Sequence, residues 1–158
     1  MIRPAGMGDL PRVLEIYASA RAFMVRSGNP TQWSDRYPLE EDVLEDIALG
    51  HLFVVDEGGV HGCFMLASGP DDTYAEIFDG SWGSDQPYGV LHRVAGDGTL
   101  QGIVHRAVAF AAERFDHLRI DTHQNNLPMQ RALAREGFVY RGTITAHDGT
   151  PRLAYDRF

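Results

Sequence analysis

The amino-acid sequence predicts a single mixed α/β domain: a mixed, twisted sheet with helices on both faces. Three observations carry this. Apolar residues follow helical spacing over residues 10–24 and 43–47, then switch to strand-like runs at 52–55 and 60–67. A strand, a glycine-bearing loop, a helix, a strand and a second helix follow one another from Tyr88 to Phe138. The chain closes on Asp148-Gly149, a hairpin signal between two strand-like stretches. The resulting order is β-α-α-β-β-β-α-β-α-β-β, which demands a sheet covered by helices. At 158 residues the chain is one domain, 1–158, long enough to bury one core without disulfides or metals.

The elements follow from local chemistry. Ile2-Arg3-Pro4 reads as a short opening strand. Asp9 is a good N-cap, and Pro11 lies in the first turn, where a missing N–H is harmless. Leu10, Val13, Leu14, Tyr17 and Met24 form the apolar stripe of a helix that Gly28-Asn-Pro30 ends. Residues 28–38 are loop-like and carry Trp33 and Tyr37. A second helix starts at Pro38-Leu-Glu-Glu-Asp42, with acids at its positive end, and stops at Gly50. Leu52–Val55 and Val60–Ala67 are strands joined by the turn Asp56-Glu-Gly-Gly59. Residues 69–87 are polar and irregular, a long loop of the kind that is often functional. Tyr88–Ala95 is a strand, Gly96-Asp-Gly-Thr99 a loop, and a helix continues to about Arg114. Leu118–Thr122 is a strand, and a short helix opened by Asn126 ends at Gly137. Phe138–Thr145 and Arg152–Phe158 form the closing hairpin.

Composition narrows the function. Apolar residues at 44% and charged residues at 23% are ordinary for a globular protein. A net charge of −8 argues against a nucleic-acid binder, which needs a basic face. Two readings of that charge stand: steering of a cationic substrate such as an amine, and plain solubility. The single Cys63 excludes an internal disulfide framework and points to a reducing compartment. No secretory signal precedes the first strand, and no apolar run approaches a membrane span, so the expected location is the cytoplasm with no membrane partner.

A loop that hands a strand to a helix presents free backbone N–H groups at the positive end of the helix dipole, a place to hold an anion. Around it stand Leu91-His-Arg-Val-Ala95, the helix from Ile103 to Phe115, and Asn126-Leu-Pro-Met129 running to Glu136-Gly-Phe138. "Asp-Thr-His … Asn-x-Pro-Met-Gln … Gly-Phe", followed by "Asp-Gly-x-x-Arg-x-Ala-Tyr", completes the pattern. In order and spacing this resembles the GNAT superfamily of N-acetyltransferases over nearly the whole chain, and its wording is similar to a small bacterial subgroup. The resemblance implies acetyl-CoA as co-substrate, a primary amine or peptide N-terminus as acceptor, and direct attack in a ternary complex. It implies that the pantetheine arm lies along the fourth strand near Val94, and that the pyrophosphate sits on Gly98, Thr99, Gly102, Ile103 and Val104. It also implies cofactor contacts from Asn126 and Met129. A homodimer is a common assembly in the resembling family.

Two departures stand out. The family's cofactor loop, Arg/Gln-x-x-Gly-x-Gly/Ala, aligns on Thr99, Gly102 and Val104, so only the central glycine is kept. Val104 brings a branched side chain, and Asp97 a negative charge, toward the pyrophosphate; Asp97 and Thr99 also suit a helix N-cap. Arg93 or Arg106 is available to offset the lost Arg/Gln, or to lie in solvent. Leu133 occupies the place where many members carry a proton-donating Tyr. Tyr88, Tyr140 and Tyr155 are the candidate substitutes, each also suited to strand packing.

His92 is the candidate base, since an imidazole titrates near neutrality and strand alternation puts Tyr88, Val90, His92 and Val94 on one face. A structural histidine bonded across the sheet is the competing role. Asp121 and His123 share a strand face, as an Asp–His pair or as polar strand-end groups. Trp33, Trp82 and His123 are candidates for a substrate pocket, with Tyr37 and Phe78 from the same irregular segments. No histidine or cysteine spacing suggests zinc, so no metal is expected. Two other readings stand beside the enzyme: a non-catalytic CoA-binding or regulatory module, and an interaction protein on the same fold.

Overall fold

The computed structural model describes residues 1–33 and 36–158. Its elements are β1 (Ile2–Pro4), α1 (Leu10–Arg26), α2 (Glu40–Ala48), β2 (Leu52–Asp56), β3 (Val60–Ser68), β4 (Gly89–Gly96), α3 (Ile103–Ala112), β5 (Leu118–Thr122), α4 (Leu127–Arg135), β6 (Val139–Thr145) and β7 (Pro151–Arg157). This is the predicted order, with short 3₁₀ turns added at Met7–Asp9 and Asp72–Tyr74. The seven strands form one sheet, ordered β1-β2-β3-β4-β5-β7-β6. Every pairing is antiparallel except β4 with β5.

The sheet is buried on both faces because its central strands carry apolar residues at consecutive positions. Val54 and Cys63 pack with Val13, Ile16 and Tyr17 of α1 and Val43 of α2. Their neighbours Val55 and Phe64 pack on the opposite face with Ile103, Ala107 and Val108 of α3 and Leu133 of α4. Each valine, leucine, isoleucine or phenylalanine side chain so buried contributes about 1.5–3 kcal/mol.

Some local expectations are corrected. Asp9 precedes α1 but does not cap it with its side chain; its carboxylate accepts from Arg3 and from the Gly6 N–H instead. Helix α3 ends at Ala112 rather than near Arg114, while α1 ends at Arg26, just ahead of Gly28 at φ +87°, as expected. Residues 34 and 35 of the predicted loop 28–38 lie outside the described residues. The irregular segment 69–87 is largely exposed but anchored at several points. Tyr74 is buried and accepts at its carbonyl from the Trp82 indole, Phe78 bridges to Thr143, and the Gly83 N–H donates to buried Asp156.

Strand β4 departs from regular alternation at one point. Met65 of β3 faces His92 and Cys63 faces Ala95, so β4 spends three steps where β3 spends two. The extra residue makes a bulge, and Arg93 there adopts φ +52°, a left-handed conformation uncommon outside glycine. His92 keeps company with Tyr74, whereas Val94 packs with Leu91 in the α3 and α4 cluster. The expectation that His92 and Val94 share a face is therefore wrong, because the bulge shifts the parity. Beyond Gly89–Leu118 and Val90–Arg119, β4 and β5 no longer pair.

Candidate active site

Where β4 and β5 part, a cleft of about 640 Å³ opens. Its walls are Leu91, His92, Arg93 and Val94 from β4, Ile120, Asp121 and Thr122 from β5, and Asn126 and Met129 at the start of α4. Trp33, Tyr37, Asp71 and Thr73 come from the two irregular segments, and His147, Asp148 and Arg152 from the β6–β7 hairpin.

His92 stands between two carboxylates. Its Nε2 lies 2.9 Å from Asp71 Oδ2, and its Nδ1 lies 3.7 Å from Asp121 Oδ1. Tyr74 donates its hydroxyl to Asp121 Oδ1 at 2.6 Å. Burial pushes the Tyr74 phenol well above its ordinary range, with the Asp121 charge adding to it, so the proton stays on Tyr74. Burial also acts to raise Asp71, but hydrogen bonds from His92 and Thr73 outweigh it and hold the carboxyl well below the usual carboxylate range. An ionised Asp71 can only accept, so it favours the imidazole tautomer with the proton on Nε2 and the lone pair on Nδ1.

Arg93 is committed elsewhere. Its guanidinium makes a two-pronged contact with Asp46 of α2, at 2.8–3.1 Å, and donates to the Tyr37 hydroxyl at 2.9 Å. It is neither a solvated surface group nor free to replace the family's loop arginine. Arg106 pairs with Glu57 at 3.2 Å.

Asn126 caps α4: its side-chain oxygen accepts from the Met129 N–H at 3.1 Å, and its amide donates to Gln32 at 2.8 Å. Val94, Asn126 and Met129 line the cleft, as does Trp33, which sits edge-on to Tyr17 and Tyr37. Trp82 does not. Its N–H is held by the Tyr74 carbonyl and Arg119 stacks on its ring, which fixes it in the packed loop. His123 also lies off the cleft: its Nδ1 accepts from the Asn125 N–H, and its Nε2 contacts the Thr31 hydroxyl. Asp121 therefore partners Tyr74 and His92 rather than His123.

Gly98, Thr99, Gly102, Ile103 and Val104 lie at the α3 end and are not part of the cleft wall. Gly102 is the N-cap of α3 at φ +76°, where a side chain would be strained, so neither Asp97 nor Thr99 is the cap. Asp97 is drawn aside by Arg12 and His61, and accepts from both the N–H and the hydroxyl of Thr99. Val104 packs against the core cluster. The first N–H groups of α3 have no partner within the helix, which suits an anion.

Leu133 is fully buried in the core. Of the tyrosines considered as substitute acids, Tyr155 and Tyr140 pack on each other and the Tyr88 hydroxyl accepts from the Asp71 N–H at 3.0 Å; Tyr37 is the tyrosine on the cleft wall. The Cys63 thiol is buried and pushed up to about 12, so it is no nucleophile. Among the described residues no three His, Cys, Asp or Glu side chains group to hold a metal, and no helix is long and apolar enough to cross a membrane. Sequence reasoning missed Asp71, Tyr74, Thr122 and Arg152. Asp71 and Tyr74 lie in an aperiodic segment, while Arg152 stood only within the closing motif.

No family model matches the chain, and no curated protein matches it in sequence. Solved structures do. A GNAT-family acetyltransferase from Streptococcus agalactiae is 28% identical, with a TM-score of 0.86 over 100% of this chain and 94% of that one. A GNAT-family acetyltransferase from Listeria monocytogenes, 20% identical, superposes with a TM-score of 0.71 over 99% and 93%. A Salmonella typhimurium structure solved with acetyl-CoA as its cofactor is 17% identical, with a TM-score of 0.62 over 99% and 91%. The latter two carry the fold alone.

Proposed function

We propose that this chain, whose fold is that of the GNAT-family acetyltransferases, transfers an acetyl group from acetyl-CoA to a primary amine by direct attack in a ternary complex. The observation that carries this reading is the parting of β4 from β5 beside His92. It leaves the β5-facing backbone groups of β4 beyond Val90 without a strand partner, ready to bond an extended amide-bearing arm.

The site fits such a group. Thr122 Oγ1 is buried on the cleft wall with no partner among the described residues. The α3 N-terminus behind the glycine cap suits a pyrophosphate, with Gly98 and Gly102 leaving open space where side chains would stand. Val94, Asn126 and Met129 are the cofactor-side contacts we assign, and Trp33 walls the acceptor side. When bound, acetyl-CoA supplies an acyl group activated as a thioester. His92 Nδ1 takes a proton from the acceptor nitrogen, freeing the lone pair that attacks the acyl carbon. A β4 backbone N–H near Val94 donates to the acyl oxygen as charge develops there. Leu133 cannot protonate the leaving sulfur, and a thiol of pKa about 8.5 departs tolerably without help near neutrality.

The test combines a thermal-shift titration with acetyl-CoA and a thiol-release assay over a panel of amines. We expect stabilisation by acetyl-CoA and turnover that His92→Ala lowers by roughly 10²–10⁴. Binding without turnover on any amine would instead make the chain a CoA-binding module.

A further inference from the structure

We infer that His92 Nδ1 and the Asp121 carboxylate together form a cradle for the acceptor's ammonium group, with Asp71 as the residue that keeps Nδ1 unprotonated. The inference rests on the acetyl-transfer reading of the same cleft and names its acceptor class.

The geometry is specific. Nδ1 and Asp121 Oδ1 are 3.7 Å apart, too far to share a proton directly in a good hydrogen bond. With Asp71 accepting from Nε2, both atoms are acceptors. Two acceptors at this separation accommodate one nitrogen about 2.9 Å from each. An ammonium group serves both at once, one N–H to the carboxylate and one to the imidazole, and its charge is favoured over a neutral donor by the Asp71 and Asp121 carboxylates. Tyr74 holds Asp121 in place through a bond to the same oxygen, which keeps a second lone pair. Attack requires the neutral amine, so one proton must leave. The ammonium N–H that points at Nδ1 breaks, its electron pair stays on nitrogen as the nucleophile, and the proton forms imidazolium, flanked by Asp71 and Asp121; the second proton, lost as the amide forms, goes to the departing thiolate through solvent.

The charge balance of the cleft sets the acceptor class. Asp71 and Asp121 face it with no arginine partner, and Asp148 faces it paired with Arg152. Both arginines on its wall are occupied. Arg93 is bound to Asp46 and Tyr37, and Arg152 pairs with Asp148 at 3.5 Å and donates to the Thr150 hydroxyl, the Pro151 carbonyl and the Gln32 carbonyl. His147 pairs with Asp72. Among the described residues no uncommitted cation remains on the wall to hold an acceptor carboxylate. The geometry selects amines that carry further positive charge or none, over amino acids.

Two measurements on the full chain separate this inference from the reading beneath it. The first is ¹⁵N NMR of the histidines in CoA-saturated protein, with His92 assigned by difference from His92→Gln; it needs no turnover. We expect His92 to be protonated at Nε2. Asp71→Ala should abolish that preference, and Asp71→Asn, which keeps an acceptor oxygen, should retain much of it. Added 1,4-diaminobutane should shift the Nδ1 resonance, with an affinity that Asp121→Asn weakens roughly ten- to hundredfold. The second is thiol release. The acceptor KM for 1,4-diaminobutane should rise by a similar factor in Asp121→Asn while the KM for acetyl-CoA holds, and 4-aminobutyrate should be the poorer acceptor by roughly tenfold or more. An Nδ1-protonated His92, or diamine binding unmoved by Asp121→Asn, overturns the cradle even if acetyl transfer occurs. Equal use of 4-aminobutyrate overturns the acceptor class. The NMR responses without thiol release from any amine uphold the cradle and reject acetyl transfer.

Discussion

Arg93 is the sharpest test of how this site is held open. The residue sits at the β4 bulge at φ +52°, and its guanidinium reaches Asp46, itself buried at 5% exposure on α2. Replacing Arg93 with alanine leaves the Asp46 carboxylate buried without its cation. Burial already acts to raise Asp46, and Arg93 is what pulls it back. Removing one partner of a buried pair costs about 3–5 kcal/mol. The backbone adds a second, separable quantity. A left-handed conformation costs a residue with a side chain roughly 1–2 kcal/mol, which glycine does not incur. Arg93→Gly loses the same ion pair as Arg93→Ala but relieves that strain, so it should be the more stable of the two by about 1 kcal/mol after its larger unfolded-state freedom is subtracted. In a domain of this size 1 kcal/mol corresponds to roughly 2–4 °C in Tm. Urea unfolding at neutral pH with the slope m monitored is the assay, since a change in m would signal something other than a loss of native stability. If Arg93→Ala cost under 1 kcal/mol, the ion pair would not hold the bulge. If Arg93→Gly were no more stable than Arg93→Ala, the strain assigned to this φ would be absent.

Other consequences are as direct. Thr122→Val removes a buried hydroxyl that has no partner among the described residues, so the free protein should gain roughly 1 kcal/mol in urea unfolding while acetyl-CoA affinity by calorimetry falls severalfold. Asp71 titrates below its unfolded value of about 3.9, so its stabilisation is present above that pH and is lost as pH falls through the folded value. Asp71→Asn should accordingly flatten the acid limb of stability against pH below about pH 4, measured by urea midpoints. Leu133→Tyr, which restores the family's residue, should destabilise by about 1–3 kcal/mol through overpacking of a fully buried site, without raising kcat.

The contrast between what was legible and what was not has one physical source. Elements whose side chains repeat at their own period could be read directly: the α1 stripe, the paired runs of β2 and β3, the Asn126 cap of α4. His92, named from strand alternation, Val94, Asn126 and Met129, named from the family resemblance, and Trp33, from an irregular segment, all line the same cleft. Periodicity cannot register an inserted residue. Nothing in Leu91-His-Arg-Val-Ala95 announces the bulge, because its partners, Asp46 and Tyr37, lie 47 and 56 residues away and only the fold brings them together. The same is true of Asp71, which reaches His92 from an aperiodic loop held by Tyr74, Trp82 and Asp156. Trp82 and His123 show the converse: residues with the right chemistry were assigned to a pocket, and local hydrogen bonds claimed them first. The site thus depends on a backbone irregularity and on contacts distant in sequence. One inserted residue turns Val94 toward the core cluster, sends Arg93 to Asp46, and leaves His92 beside the gap between β4 and β5. A chain can lose the family's loop arginine and its tyrosine and still keep this cleft, because neither residue is what opens it.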